Sequence, residues 1–190
     1  MKLTSDKALE LLKEAEQTTS DLGWISHSKC VGETAGVIAG KLGLDVDNAI
    51  TLGYIHDIGK RTDFKNHVMK GFYYLKELGY DEEYCNICLT HSYLNNDYMC
   101  TAGGIPDDIP FRTEFIKNHQ YTIYEKIINL CDLMCKSKRM ILEQRIIDIM
   151  LRRGCHENTV YHITEAQKLK KEIDDLLGCS VYLLFDDIEI

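Results

Sequence analysis

Proline occurs only twice in 190 residues, and Pro106 and Pro110 fall together in one short run, AGGIPDDIP. Proline lacks an amide hydrogen and clashes with the preceding turn, so its absence elsewhere leaves long stretches free to be helical. Periodic apolar positions fill those stretches. Ser5–Thr19 lines up Ala8, Leu11, Leu12 and Ala15, with Ser5 or Asp6 available as cap. His27–Leu42 reads as a second helix closing on Gly43, and Asp45 or Asp47 caps a third that runs through Lys60. A fourth spans Asn66 to Leu78 and stops at Gly79; a fifth opens at Asp81 and extends to Tyr93. Tyr121–Met140, Leu142–Arg153 and Tyr161–Leu177 complete the set. The expectation is an all-α, single-domain helical bundle over residues 1–190.

Two segments stand outside this pattern. Asn95–Asn118 is long and irregular, and loops of that length in compact domains are often lids or binding loops, so Met99–Phe111 is a candidate substrate lid. The tail SVYLLFDDIEI is either strand-like or an apolar docking segment.

Composition narrows the function. A chain that is 45% hydrophobic can bury a substantial core. Its formal net charge of -8 supplies no diffuse positive field for nucleic acid, so a phosphate-bearing ligand must be drawn in by a local site. Met1–Leu12 is amphipathic rather than leader-like, and no apolar run approaches membrane-spanning length, so the expectation is a cytoplasmic protein without a membrane partner. The eight cysteines read as reduced, buried small hydrophobes. A zinc site joining Cys85 and Cys88 to Cys131 and Cys135 is the weaker alternative. The cysteines and the apolar tail leave room for a homodimer contact.

The polar residues that do not suit a bundle carry the chemistry. In AITLGYIHDIGK, His56 and Asp57 sit among Ile50, Leu52, Tyr54, Ile55 and Ile58, where a carboxylate must neutralise or find a cation. A buried pairing with lysine or a cap on a neighbouring helix would satisfy Asp57 alone. Asp132, however, is another carboxylate in an apolar helical run, KIINLCDLMC. His27 opens the second helix, His67 the fourth, and His91 closes the fifth. One divalent cation, or two sharing Asp57, would satisfy all of these groups together, and imidazole with carboxylate suits transition metals better than calcium. Lys60 follows Asp57 by three residues on the same helix face, so an anion such as a phosphate oxygen should lie between its ammonium and the metal. Arg61 could serve the same anion. His119, His156 and His162 read as surface or helix-end residues, and Trp24 as packing against the first helix.

The stretch HSKCVGETAGVIAGKLGLDVDNAITLGYIHDIGK resembles the opening of the HD-domain superfamily of metal-dependent phosphohydrolases. NHVMKGFYYLKELGYDEEYCNICLTHS and YTIYEKIINLCDLM resemble its middle and closing motifs, so the likeness covers Trp24 to Arg139. It implies His27, His56, Asp57 and Asp132 as core metal ligands, with His67 and His91 completing a second site. Asp57 and Lys60 are the expected catalytic residues, and Lys60 and Arg61 the expected substrate-binding ones. One or two divalent ions per chain are implied, iron or manganese first, then nickel, cobalt, zinc or magnesium. The closing segments are similar to the bacterial HD hydrolases of diadenosine tetraphosphate, although the Asp57–His67 interval is shorter and Asn95–Asn118 larger here. The Gly-Tyr-Pro motif of the cyclic-dinucleotide phosphodiesterases has only Gly104-Ile105-Pro106 as an echo. The expected function is hydrolysis of a phosphate ester or anhydride in a small phosphorylated substrate, a nucleotide or dinucleotide polyphosphate. A di-iron oxygenase of the same fold and a non-catalytic nucleotide-binding module are the alternatives.

Overall fold

A computed structural model describes residues 1–100 and 111–188. The described residues form an all-α bundle: α1 (Ser5–Glu16), α2 (Gly23–Lys41), α3 (Val46–Ile55), α4 (His67–Glu77), α5 (Glu82–Thr90), α6 (Phe111–Asn118), α7 (Ile123–Met134), α8 (Leu142–Arg153) and α9 (Thr159–Leu177). The candidate lid Met99–Phe111 and the Gly104-Ile105-Pro106 echo lie largely or wholly outside the described residues.

Capping chemistry sets the starts. Thr4, rather than Ser5 or Asp6, caps α1 by accepting from the Lys7 amide at 3.4 Å. The Ser5 hydroxyl instead donates to Asp47 Oδ1 at 2.5 Å, joining α1 to the first turn of α3. Asp45 caps α3, accepting from the Asn48 amide at 3.1 Å. Thr122 and Glu125 form a reciprocal capping box at the start of α7. Thr122→Ala should therefore cost about 1 kcal/mol, read as a lower urea midpoint at unchanged slope.

The centre of the bundle is the crossing of α2 with α3. A Cβ on Gly53 would fall 2.4 Å from Gly32 Cα, and one on Gly32 would meet the Tyr54 ring at 2.5 Å. Two glycines thus let the helix backbones touch, and α7 packs alongside both helices. Leu52, Ile55, Val31, Ala35, Ile128 and Cys131 close the core around this contact.

Several boundaries differ from the sequence reading. α2 begins at Gly23, so His27 sits inside the helix rather than opening it. The third helix does not reach Lys60: α3 ends at Ile55, and Ile58–Arg61 form a 3-10 turn. α6 forms within the segment expected to be irregular. α7 stops at Met134 because Cys135 turns extended (φ -120°, ψ 145°), where it bridges Arg139. The tail is a docking segment with a 3-10 turn at Val181–Leu184, not a strand: Val181, Phe185 and Ile188 are buried. The Tyr182 hydroxyl accepts from the Leu142 amide at 2.9 Å and donates to Glu143 at 2.8 Å, fastening the tail to the start of α8.

Candidate metal centre

Five helical segments converge on one buried point. His27 comes from the second turn of α2, His56 and Asp57 from the break after α3, His67 from the first residue of α4, His91 from the C-terminal cap of α5, and Asp132 from α7. The break after α3 is what makes the His56–Asp57 pair usable. His56 still donates its amide to Leu52 O at 3.1 Å, but Asp57 leaves helical geometry (φ -105°, ψ 11°), freeing its carboxylate to turn into the cluster.

Asp57, 2% exposed, is the hub. Its Oδ2 lies 3.4 Å from His56 Nε2 and 3.8 Å from His27 Nε2. Its Oδ1 lies 3.2 Å from His67 Nε2 and 3.5 Å from His91 Nε2. Asp132 closes the first group, with Oδ1 2.9 Å from His27 Nε2 and 4.0 Å from His56 Nε2. Two donor sets result, His27–His56–Asp57 and Asp57–His67–His91, each compact enough for a single ion.

Tautomers sharpen this picture. His56 Nδ1 lies 2.7 Å from Gly53 O, His67 Nδ1 2.8 Å from Phe64 O, and His91 Nδ1 3.2 Å from Ile87 O. A carbonyl only accepts, so each Nδ1 carries the proton and each Nε2 presents its lone pair to the centre. Outer-sphere fixing of this kind is what metal-ligating imidazoles require. His56 Nε2 then faces His27 Nε2 at 3.3 Å. Asp57 Oδ1, though close to two imidazole nitrogens, makes no aligned hydrogen bond with either, and His27 Nδ1 is likewise buried without a partner. Imidazole nitrogens and a carboxylate oxygen without an aligned donor, gathered around two points, fit a divalent cation.

Burial and neighbouring charge set the ionisation of the cluster. Burial would raise Asp57, but the Lys60 ammonium and His56 outweigh it and hold the carboxyl well below the usual range. Burial is likewise overcome at Asp132, where His27 is the main partner keeping it ionised. Burial pushes His91 down to about 3, so it is neutral and open to ligation at neutral pH. At His56 burial is outweighed by the Asp57 and Asp132 charges, which raise its pKa.

Lys60 donates directly to Asp57 Oδ2, reaching it through the 3-10 turn rather than along a helix face. Arg61 stacks on the Tyr74 ring, 4.3 Å from its centroid, instead of joining the cluster. Trp24 is buried, with its indole 3.4 Å from Thr19 Oγ1. His156 is exposed and His119 pairs with Glu125 at 2.8 Å. His162 is corrected: it is buried at 7% exposure, beside Cys100 at 3.7 Å, and burial pushes it down to about 4. Its polar sequence neighbours concealed the side that α9 turns inward. All eight cysteines are free thiols, and neither metal-competent set among the described residues includes one.

Known proteins share this architecture. Residues 24–176 match the family model for the HD domain, extending the motif-bearing region through α8 and most of α9. A Ribonuclease Y of Mycoplasma capricolum is 40% identical over 70 residues, 35% of this chain and 14% of that protein. One from Fervidobacterium nodosum is 39% identical over 70 residues, again 35% and 14%. The match thus spans about a seventh of these relatives. Among solved structures, the HD domain of the L. monocytogenes phosphodiesterase PgpH, in complex with cyclic-di-AMP, superposes with a TM-score of 0.50 at 19% identity. That superposition covers 95% of this chain and 87% of the other.

Proposed function

This chain belongs to the HD domain family of metal-dependent phosphohydrolases, and from that premise we propose that it hydrolyses a phosphate ester or anhydride bond of a nucleotide. One observation carries the reading. The two oxygens of Asp57 face two different pairs of imidazole nitrogens, so that one carboxylate would serve both ligand sets. His27, His56, Asp57 and Asp132 would hold one ion, and Asp57, His67 and His91 the other. Imidazole with carboxylate suits a transition metal; the family resemblance puts iron or manganese first, with nickel, cobalt, zinc or magnesium behind them. When bound, such ions supply positive charge for the phosphoryl oxygens and lower the pKa of coordinated water.

The chain's own groups do the remaining work. Asp132, whose side chain is a quarter exposed, is the ligand open to the approach side, and it can accept a proton from an attacking water while orienting it. Asp57 stays anionic and holds the two ligand sets in register. The Lys60 ammonium, partly exposed, turns toward the non-bridging oxygens and offsets charge that grows on them in the transition state. His56, His67 and His91 are each held by a backbone hydrogen bond at Nδ1, and His27 by burial within α2, so little reorganisation accompanies reaction. Because the chain is acidic overall, this local positive focus must attract the substrate.

The test is a purified-protein assay. Bound metals are measured, then a panel of nucleotides, dinucleotide polyphosphates, cyclic dinucleotides and short RNA is offered with and without chelator. Phosphate release that chelation stops supports the reading. Oxygen consumption that depends on iron, with no hydrolysis, would transfer the site to the oxygenase chemistry instead. Lys60→Ala separates charge stabilisation from ligation: turnover should fall about 100-fold while metal content per chain is unchanged. Loss of metal in that variant would place Lys60 among the residues that maintain the centre itself.

A further inference from the structure

A second reactive group lies one helical turn from the metal centre. Cys30 follows His27 by three residues on α2, and Cys135 follows Asp132 by three at the end of α7. Thr34 sits between them: its hydroxyl donates to Cys30 O at 2.7 Å and lies 3.4 Å from Cys135 Sγ. The same hydroxyl accepts from Arg139 Nε at 2.9 Å, which brings the guanidinium to the pair. The two thiols influence each other's titration, which places them close together. Cys135 has no exposure, whereas Cys30 keeps 8%.

We propose that Cys30 is a site of reversible oxidation by hydroperoxides, with Cys135 as the thiol that resolves it into a disulfide. The two sulfurs are unlike in character. Cys135 and the Arg139 charge lower the Cys30 pKa despite burial, while burial and the neighbouring sulfur raise Cys135 well above the usual thiol range. A polarised pair of this kind has a nucleophile and a proton donor in contact, which is the environment that makes one cysteine reactive among inert ones. Cys131, fully buried and raised by its apolar surroundings, lacks that help.

The Cys30 thiolate attacks one peroxide oxygen, the O–O bond breaks, and hydroxide leaves, so Cys30 becomes a sulfenic acid and the peroxide is reduced by two electrons. Hydroxide takes the Cys135 proton and becomes water. The Cys135 thiolate then attacks the Cys30 sulfur, the S–S bond forms, the S–O bond breaks, and the departing hydroxide takes up the equivalent of the proton that Cys30 released to solvent on ionising, giving a second water. The resulting crosslink joins α2 to the end of α7, the segments that hold His27 Nε2 and Asp132 Oδ1 2.9 Å apart. Which phosphorylated substrate the centre cleaves has no bearing on this thiol chemistry.

Peroxide treatment of the full chain, followed by thiol alkylation and peptide mapping, tests it. The expected result is a Cys30–Cys135 linked peptide, with both thiols protected from alkylation and restored by dithiothreitol. In Cys135→Ala the sulfenic acid has no resolving partner, so dimedone should label Cys30. Recovery of oxidation only at the exposed Cys155 or at Cys179, with Cys30 untouched, would overturn the proposal. So would a Cys30 crosslink to any other sulfur. The mapping on the unsubstituted chain decides the matter even if Cys135→Ala fails to fold.

Discussion

Asp57→Asn is expected to strip the protein of all retained metal and to lower turnover by at least about 1,000-fold, the several kcal/mol that metal-borne charge supplies to a transition state. The amide is isosteric with the carboxylate, so the fold around the 2%-exposed side chain should survive. What disappears is the negative charge shared by both ligand sets. On one side Oδ2 stands within 3.4 Å of His56 and 3.8 Å of His27; on the other, Oδ1 stands within 3.2 Å of His67 and 3.5 Å of His91. His91→Ala is the informative comparison, because it removes a ligand from one set only. It should halve the metal content, leaving His27, His56, Asp57 and Asp132 intact. Metal analysis and circular dichroism on both variants check this directly. An Asp57→Asn protein that keeps its metal, or hydrolyses its substrate normally, would show that Asp57 is a structural partner of Lys60 and no hub.

Much of this centre was legible because it conflicts with its surroundings. Asp57 and Asp132 are carboxylates in otherwise apolar helical runs, and such groups need a cation in a buried setting. Two of their partners, His67 and His91, stand at the ends of neighbouring helices as the sequence reading expects, whereas His27 reaches the same point from the inward face of α2. His162 escaped notice for the complementary reason. TVYHITEAQ looks polar, and burial of one face of α9 is decided by packing against α7 rather than by composition. The cap of α1 at Thr4 and the early start of α2 are boundary shifts of the kind that local propensity leaves open.

The break at His56–Asp57 was hidden more deeply. A residue three positions on shares a face in an α-helix and also follows in a 3-10 turn, so Lys60 sits beside Asp57 under either geometry. Nothing in the run GYIHDIGK separates the two. The choice is made by tertiary contact, because Gly59 lies against the start of α4 and Gly53 against α2. These are relations between residues distant in sequence, and a single chain read locally does not expose them.

That contact supplies the other large effect. A Cβ on Gly59 would fall 1.9 Å from His67 O, 2.5 Å from Gly71 N and 2.7 Å from His67 C, all of them backbone atoms that no rotamer change can move aside. Gly59→Ala must therefore push the first turn of α4 away from the 3-10 turn. Overpacking against backbone should cost about 3 kcal/mol, which for a chain of this size lowers the melting temperature by roughly 10 °C. The displaced residue is itself a predicted ligand, so the 3.2 Å approach of His67 Nε2 to Asp57 Oδ1 should open and the second ion be lost while the first is retained. Gly43→Ala provides the contrast. Gly43 has a positive φ of 71°, but a methyl group there would meet nothing within 4 Å. Strain at that position is conformational and local, costing about 1 kcal/mol with no change in metal content. If Gly59→Ala instead matched Gly43→Ala in both melting temperature and metal stoichiometry, the contact of the 3-10 turn with α4 would not be what holds His67 against Asp57, and the coupling of fold to ligand geometry inferred for this turn would be wrong.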